Sequence, residues 1–115
     1  MTVTIYHNPR CSKSRQTLAL IHDRGIEPTI VEYLKTPPDE ATLKSLLAAL
    51  GKSPRELMRK GEAVYKEKNL ADPSLSDDAL IAAMVADPIL IERPVVVAGD
   101  KVALGRPPES VLTIL

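Results

Sequence analysis

Apolar positions change period several times along this chain, and each change marks an element. Val3, Ile5 and Tyr6 lie in a short β-prone run over 3–7 that reads as a buried strand. From Cys11 to Arg24 the spacing becomes helical. Leu18 and Ile21, with Ala19 and Leu20 beside them, give one apolar face, and Gly25 follows as a C-terminal cap. Ile30, Val31 and Tyr33 make 29–33 a second strand. Strand, helix and strand over this length predict a parallel βαβ unit.

The middle of the chain is helical. Thr36-Pro37-Pro38-Asp39-Glu40 is a helix start, Leu43, Leu46, Leu47 and Leu50 share one face, and Gly51 ends it. Ser53-Pro54-Arg55-Glu56 is a capping box, and Leu57 and Met58 are expected to continue its short helix. A further turn or two is expected over 62–68. Ser76-Asp77-Asp78 opens another helix with Leu80, Ile81, Met84 and Val85 on its apolar face, stopped by Pro88. The period then returns to that of strands. Residues 94–98 and 101–104 read as an antiparallel pair joined at Gly99-Asp100, and Pro107-Pro108-Glu109 opens a last helix. The order is β-α-β, a helical insert over about 36–88, then β-β-α, within one domain spanning 1–115.

Composition narrows the function. Fifteen basic and fifteen acidic residues cancel, which argues against a general nucleic-acid binder. No apolar run approaches a membrane span and no signal peptide precedes the first strand, so a cytoplasmic location is expected. The core must be aliphatic, since only three tyrosines and no Phe or Trp are present. One cysteine excludes an internal disulfide framework, and a reducing compartment suits a working thiol. One Cys and two separated His residues, His7 and His22, have no metal-ligand spacing, and no phosphate loop or dinucleotide fingerprint occurs.

That cysteine, Cys11, falls where the first strand gives way to a helix. A helix start offers unpaired N–H groups and the positive end of a dipole, and Arg10, Lys13 and Arg15 add charge. Such settings depress a thiol pKa, so Cys11 is expected to be a thiolate nucleophile. The bland reading, a buried Cys acting as a small hydrophobe, suits apolar flanks rather than these polar and cationic ones. A phosphatase-type loop would carry Arg six residues after the Cys, where Thr17 stands. Arg15, at i+4, either reaches the same anion or faces solvent. His7 either supports the thiolate as an imidazolium or orders the turn. A lone arginine is ordinarily a solvated charge, but Arg93 and Arg106 each precede a Pro and flank the predicted hairpin.

A nucleophilic Cys at the first strand–helix junction of this topology is the thioredoxin-like arrangement, with Cys11-Ser12-Lys13-Ser14 in the place of the redox motif. Ser14 replaces the usual second Cys, so an external thiol must resolve any disulfide. The stretch from His7 to Arg15, with Leu57-Met58-Arg59-Lys60-Gly61-Glu62, Ile91-Glu92-Arg93-Pro94 and Leu104-Gly105-Arg106-Pro107-Pro108-Glu109, resembles the glutaredoxin- and glutathione-coupled arsenate reductase family. The resemblance covers nearly the whole chain. It implies a thioredoxin-like α/β fold, a mixed four-stranded sheet with flanking helices and an inserted helical subdomain. It implies that Cys11 attacks arsenate while Arg59, Arg93 and Arg106 surround the oxyanion, that His7 supports Cys11, and that Pro94 is cis. Glutathione would be co-substrate and glutaredoxin the partner, with no bound cofactor and no metal, in a monomer. Two rivals share the scaffold. One is a glutathione-dependent thiol–disulfide oxidoreductase, its arginines binding glutathione carboxylates. The other, ranked lower because Ser14 removes a Cys-x-x-Cys switch, is an Spx-type regulator that binds RNA polymerase.

Overall fold

The structure is a computed structural model and describes residues 2–115. Its packing separates two units, one formed by residues up to 36 together with 93–115, the other by 37–92.

The first unit holds the sheet. Strands β1 (Val3–His7), β2 (Thr29–Glu32), β3 (Val95–Ala98) and β4 (Lys101–Leu104) lie in the order β2-β1-β3-β4. β1 and β2 are parallel, with Ile5 opposite Ile30, and helix α1 (Ser12–Asp23) joins them as the βαβ reading requires. β3 runs antiparallel to both β1 and β4, with Ile5 also opposite Val96. Strand alternation puts Val3 and Ile5 on the face where Ile21 of α1, Val96, Ala98 and Val111 close the core, with Leu18, Ile26, Ala103, Ile114 and Leu115 packed around them. His7 comes next on that face, at the end of β1 where α1 begins. This register carries a polar ring from the apolar core to the start of the helix.

The second unit is helical. α2 (Glu40–Leu50) is capped by Asp39, whose carboxylate accepts from the Thr42 N–H at 2.7 Å, and it ends at Gly51, φ 67°, a left-handed position that favours glycine. α3 (Ala63–Glu67) is short, and α4 (Asp77–Ala86) is capped by Ser76. α2 packs against α4, with Leu43, Leu46, Leu47, Leu80, Ile81 and Met84 buried. The Arg55 guanidinium donates to the carbonyls of Leu70 at 2.7 Å and Asp72 at 3.0 Å, pinning the loop after α3.

The sequence expectation fails at two elements. The capping box at Ser53 forms, the Ser53 N–H reaching Glu56 at 2.9 Å, but the helix is a single 3₁₀ turn, Arg55–Leu57. Met58 does not continue it. Its backbone is extended and pairs with Ile91, flanked by Arg59 N–H to Leu90 C=O at 2.7 Å and Glu92 N–H to Leu57 C=O at 2.8 Å. That short ladder takes the backbone groups a helix would use. The last helix is likewise a 3₁₀ run, Pro108–Thr113, closed by i to i+3 bonds such as Ser110 N–H to Pro107 C=O. The peptide bond before Pro94 is cis, as the resemblance implied, and so is the bond before Pro107, which nothing in the sequence reading anticipated.

Candidate active site

The turn between β1 and α1 is built by side chains bonding back to the backbone. The Asn8 carboxamide accepts from the Arg10 N–H at 3.0 Å, and the Cys11 N–H donates to the Asn8 carbonyl at 3.0 Å. Ser14, fully buried on the first turn of α1, accepts from the Asn8 N–H at 3.0 Å and lies 2.6 Å from His7 Nδ1. One hydroxyl thus ties the end of the strand, the turn and the helix together. Burial lowers the His7 pKa, and Arg15 also lowers it while Glu32 raises it, so the ring is neutral imidazole at neutral pH. Its contact is with Ser14, which makes it an ordering group for the turn.

Cys11 occupies the cap position of α1 with extended backbone, φ −91° and ψ 122°, so its sulfur lies at the open end of the helix. Burial pushes its thiol pKa up. The Ser14 N–H, the hydrogen bond and charge of Arg93, and the Lys13 N–H outweigh that penalty, and the pKa lies below the ordinary thiol range. Arg106 Nη2 stands 3.7 Å from the sulfur, and Arg106 Nε donates to the Arg93 carbonyl at 2.8 Å. Two arginines that the sequence placed at the edges of a hairpin thus meet one thiol. Arg93 Nε and Nη1 are buried with no hydrogen-bond partner among the described residues. Buried guanidinium donors are costly unless they meet an acceptor, and a multiply charged oxyanion beside Cys11 would supply several.

Gly105 makes this convergence possible. A Cβ there would sit 2.6 Å from Thr17 Oγ1 and 2.7 Å from Pro94 Cγ, while the Gly105 N–H donates to the Pro94 carbonyl at 2.8 Å. Thr17 is itself fixed, its hydroxyl donating to the Lys13 carbonyl at 2.8 Å. The loop that carries Arg106 therefore lies directly on Pro94 and the first turns of α1.

Arg15 and Arg59 make contacts of their own. Arg15 donates from Nη1 to the Pro9 carbonyl at 2.9 Å and ties α1 to the turn. Arg59 belongs to the helical unit, where Nε faces Glu62 at 3.6 Å and Nη1 faces Glu92 at 3.5 Å. Asn8, Thr17 and Gly105 were not singled out from sequence. Asn8 stood inside the quoted motif, and an Asn-Pro pair ahead of a helix is a turn signal that could have found it. Among the described residues no cluster of His, Cys, Asp and Glu could hold a metal ion, and no helix is long and apolar enough to cross a membrane.

The family model described as the ArsC family matches residues 6–114. The chain belongs to the ArsC family. It is 62% identical over 114 residues to a protein of Escherichia coli K12 named YfgD and described as uncharacterized, covering 98% of this chain and 96% of that one. It is 54% identical over 115 residues to a protein of Rhizobium meliloti named arsenate reductase, covering 100% of this chain and 82% of that one. A solved structure from Vibrio cholerae titled arsenate reductase superposes with a TM-score of 0.97 at 55% identity, covering 100% of this chain and 98% of that one. The mixed four-stranded sheet with flanking helices is the thioredoxin-like α/β fold of ArsC-family proteins.

Proposed function

We propose that this ArsC-family protein is an arsenate reductase in which Cys11 is the nucleophile and Arg93 and Arg106 bind the oxyanion. The observation that carries the reading is the meeting of a depressed-pKa thiol with two guanidinium groups, one of them holding buried donors without an acceptor. A thiolate does not approach a doubly charged oxyanion unless cations offset the repulsion, and guanidinium groups stay charged while pairing with its oxygens. Arg59 is the third oxyanion ligand in this reading. His7 and Ser14 position the turn, and Pro94 presents Arg93.

The Cys11 sulfur bonds to arsenic, and one arsenic oxygen leaves as water after taking up protons. A glutathione thiolate then joins the Cys11 sulfur. The electron pair of the sulfur–arsenic bond stays on arsenic, which departs as arsenite. Two thiols have become one disulfide, which accounts for the two electrons that arsenic gains. Ser14 cannot resolve that disulfide, so glutaredoxin takes the glutathione and returns Cys11 to the thiol. The protein acts as a monomer in the cytoplasm, where glutathione is reduced and abundant, and needs no bound cofactor.

Arsenite formation by the purified protein with arsenate, glutathione and glutaredoxin, each omitted in turn, tests this. Turnover should require both thiol components and disappear in Cys11→Ser. Arg93→Ala should lower it by roughly 100-fold, the usual cost of losing one transition-state donor. A Cys11→Ser protein that still turned over would overturn the scheme.

A further inference from the structure

A cleft of about 180 Å³ opens beside the turn that carries Cys11, and neither Arg93 nor Arg106 lines it. His7 lines it from the end of β1, Asn8, Pro9 and Arg10 from the turn that follows, and Glu32, Leu34 and Lys35 from the end of β2 and just beyond it. We propose that this cleft seats the thiol donor, a small zwitterionic thiol peptide of the glutathione type. The inference rests on the thiol-dependent reading above.

Charge and position both favour that occupant. Glutathione carries two carboxylates and one ammonium, and the cleft offers the complement, two cations in Arg10 and Lys35 and one carboxylate in Glu32. Leu34, 41% exposed, gives an apolar wall for the methylene groups between those charges. Lys35 and Glu32 face each other at 3.6 Å, both well exposed. Such a pair is worth little by itself, so exchanging each partner for a group of the ligand costs little. Arg10 is bonded to Cys11, and the Cys11 N–H is held by the carbonyl of Asn8, so the cleft wall and the nucleophile's seat are one turn. The guanidinium groups of Arg93 and Arg106 reach the sulfur from the segments flanking β3 and β4, whereas β2 lies on the other side of β1. A donor held at the β2 flank approaches the sulfur without displacing the oxyanion ligands.

The test uses no arsenate, so its failure is separable from failure of the arsenate reading. The Cys11 thiolate attacks one sulfur of glutathione disulfide, the S–S bond breaks, a glutathione thiolate leaves, and Cys11 keeps the other half as a mixed disulfide. The rate is compared with that for dithiodiglycolate, a disulfide of the same net charge that lacks the γ-glutamyl and glycyl arms. Lys35→Glu should slow the glutathione disulfide reaction about five- to tenfold and the dithiodiglycolate reaction less than twofold, with Lys35→Arg restoring the first. Equal slowing of both reagents would mean general steering by surface charge and overturn the proposal, as would no change in either. Lys35 is exposed and outside the core, so the folded protein survives the change.

Discussion

Backbone N–H groups and one guanidinium together decide whether this turn holds a reagent or an inert thiol. Burial alone would raise the Cys11 pKa, and the N–H groups of α1 and the Arg93 guanidinium reverse it. The half-reactive pH of Cys11 toward iodoacetamide should therefore lie below that of free cysteine and move up in Arg93→Ala; an unchanged midpoint would remove Arg93 from the thiolate's environment. His7 gives a second pH signature with a definite sign. Its folded pKa lies below the ordinary imidazole value of about 6.5, so the unfolded chain binds the proton more readily. The stability this ring contributes is full above about pH 6.5 and is lost as pH falls from there through the folded pKa. Urea midpoints measured across that window should fall more steeply for the native protein than for His7→Gln, and parallel curves would contradict the assignment. Cys11 stood out in the sequence as a lone Cys at a helix start, whereas Arg93 and Arg106 stood out only as an Arg before Pro and took their expected role from the family resemblance. The work of Ser14 as a buried three-way anchor was not legible, because it depends on the turn that brings residues 7, 8 and 14 within bonding reach.

At the scale of elements, the site depends on how closely the β4–Pro108 loop lies on α1. Gly105→Ala adds one methyl group where Thr17 Oγ1 and Pro94 Cγ already stand within 2.7 Å of its position, and neither neighbour is a flexible side-chain end. The loop must move outward, and Arg106 moves with it. Overpacking of this kind costs about 1–3 kcal/mol. The variant should lose that much in chemical denaturation and should also show a raised half-reactive pH at Cys11, a change that mere loss of stability does not produce. Full stability with native thiol reactivity would show that the loop has room. Helices and strands with strong periodicity, such as α1, α2, β1 and the β3–β4 hairpin, were readable because local pattern and tertiary packing agree. Both misread elements are places where the backbone had another partner. Met58 pairs with Ile91, and the C-terminal segment tightens into i to i+3 bonds over the core at Val111. A capping box or a Pro-Pro-Glu start marks where a helix begins and carries no information about where its carbonyls end.

For the molecule as a whole, the decisive fact is that the chain contains one cysteine. The fold brings a residue from position 11 together with residues from 93 and 106, yet it offers Cys11 no second thiol, and the place where one would stand is filled by Ser14, whose hydroxyl is already committed to His7 and Asn8. A cycle that oxidises Cys11 must therefore stop at a mixed disulfide with an outside molecule. With arsenate and glutathione but without glutaredoxin, the protein should accumulate one glutathione on Cys11, visible in the intact mass, and arsenite release should cease near one equivalent per chain. Adding glutaredoxin should clear the adduct and restart release. Ser14→Cys should behave differently, forming an internal disulfide in place of the adduct, but at a cost of about 1–3 kcal/mol for the buried hydrogen bonds it disrupts. Continued release without glutaredoxin and without an adduct would place the resolving step on free glutathione and leave the partner without a role.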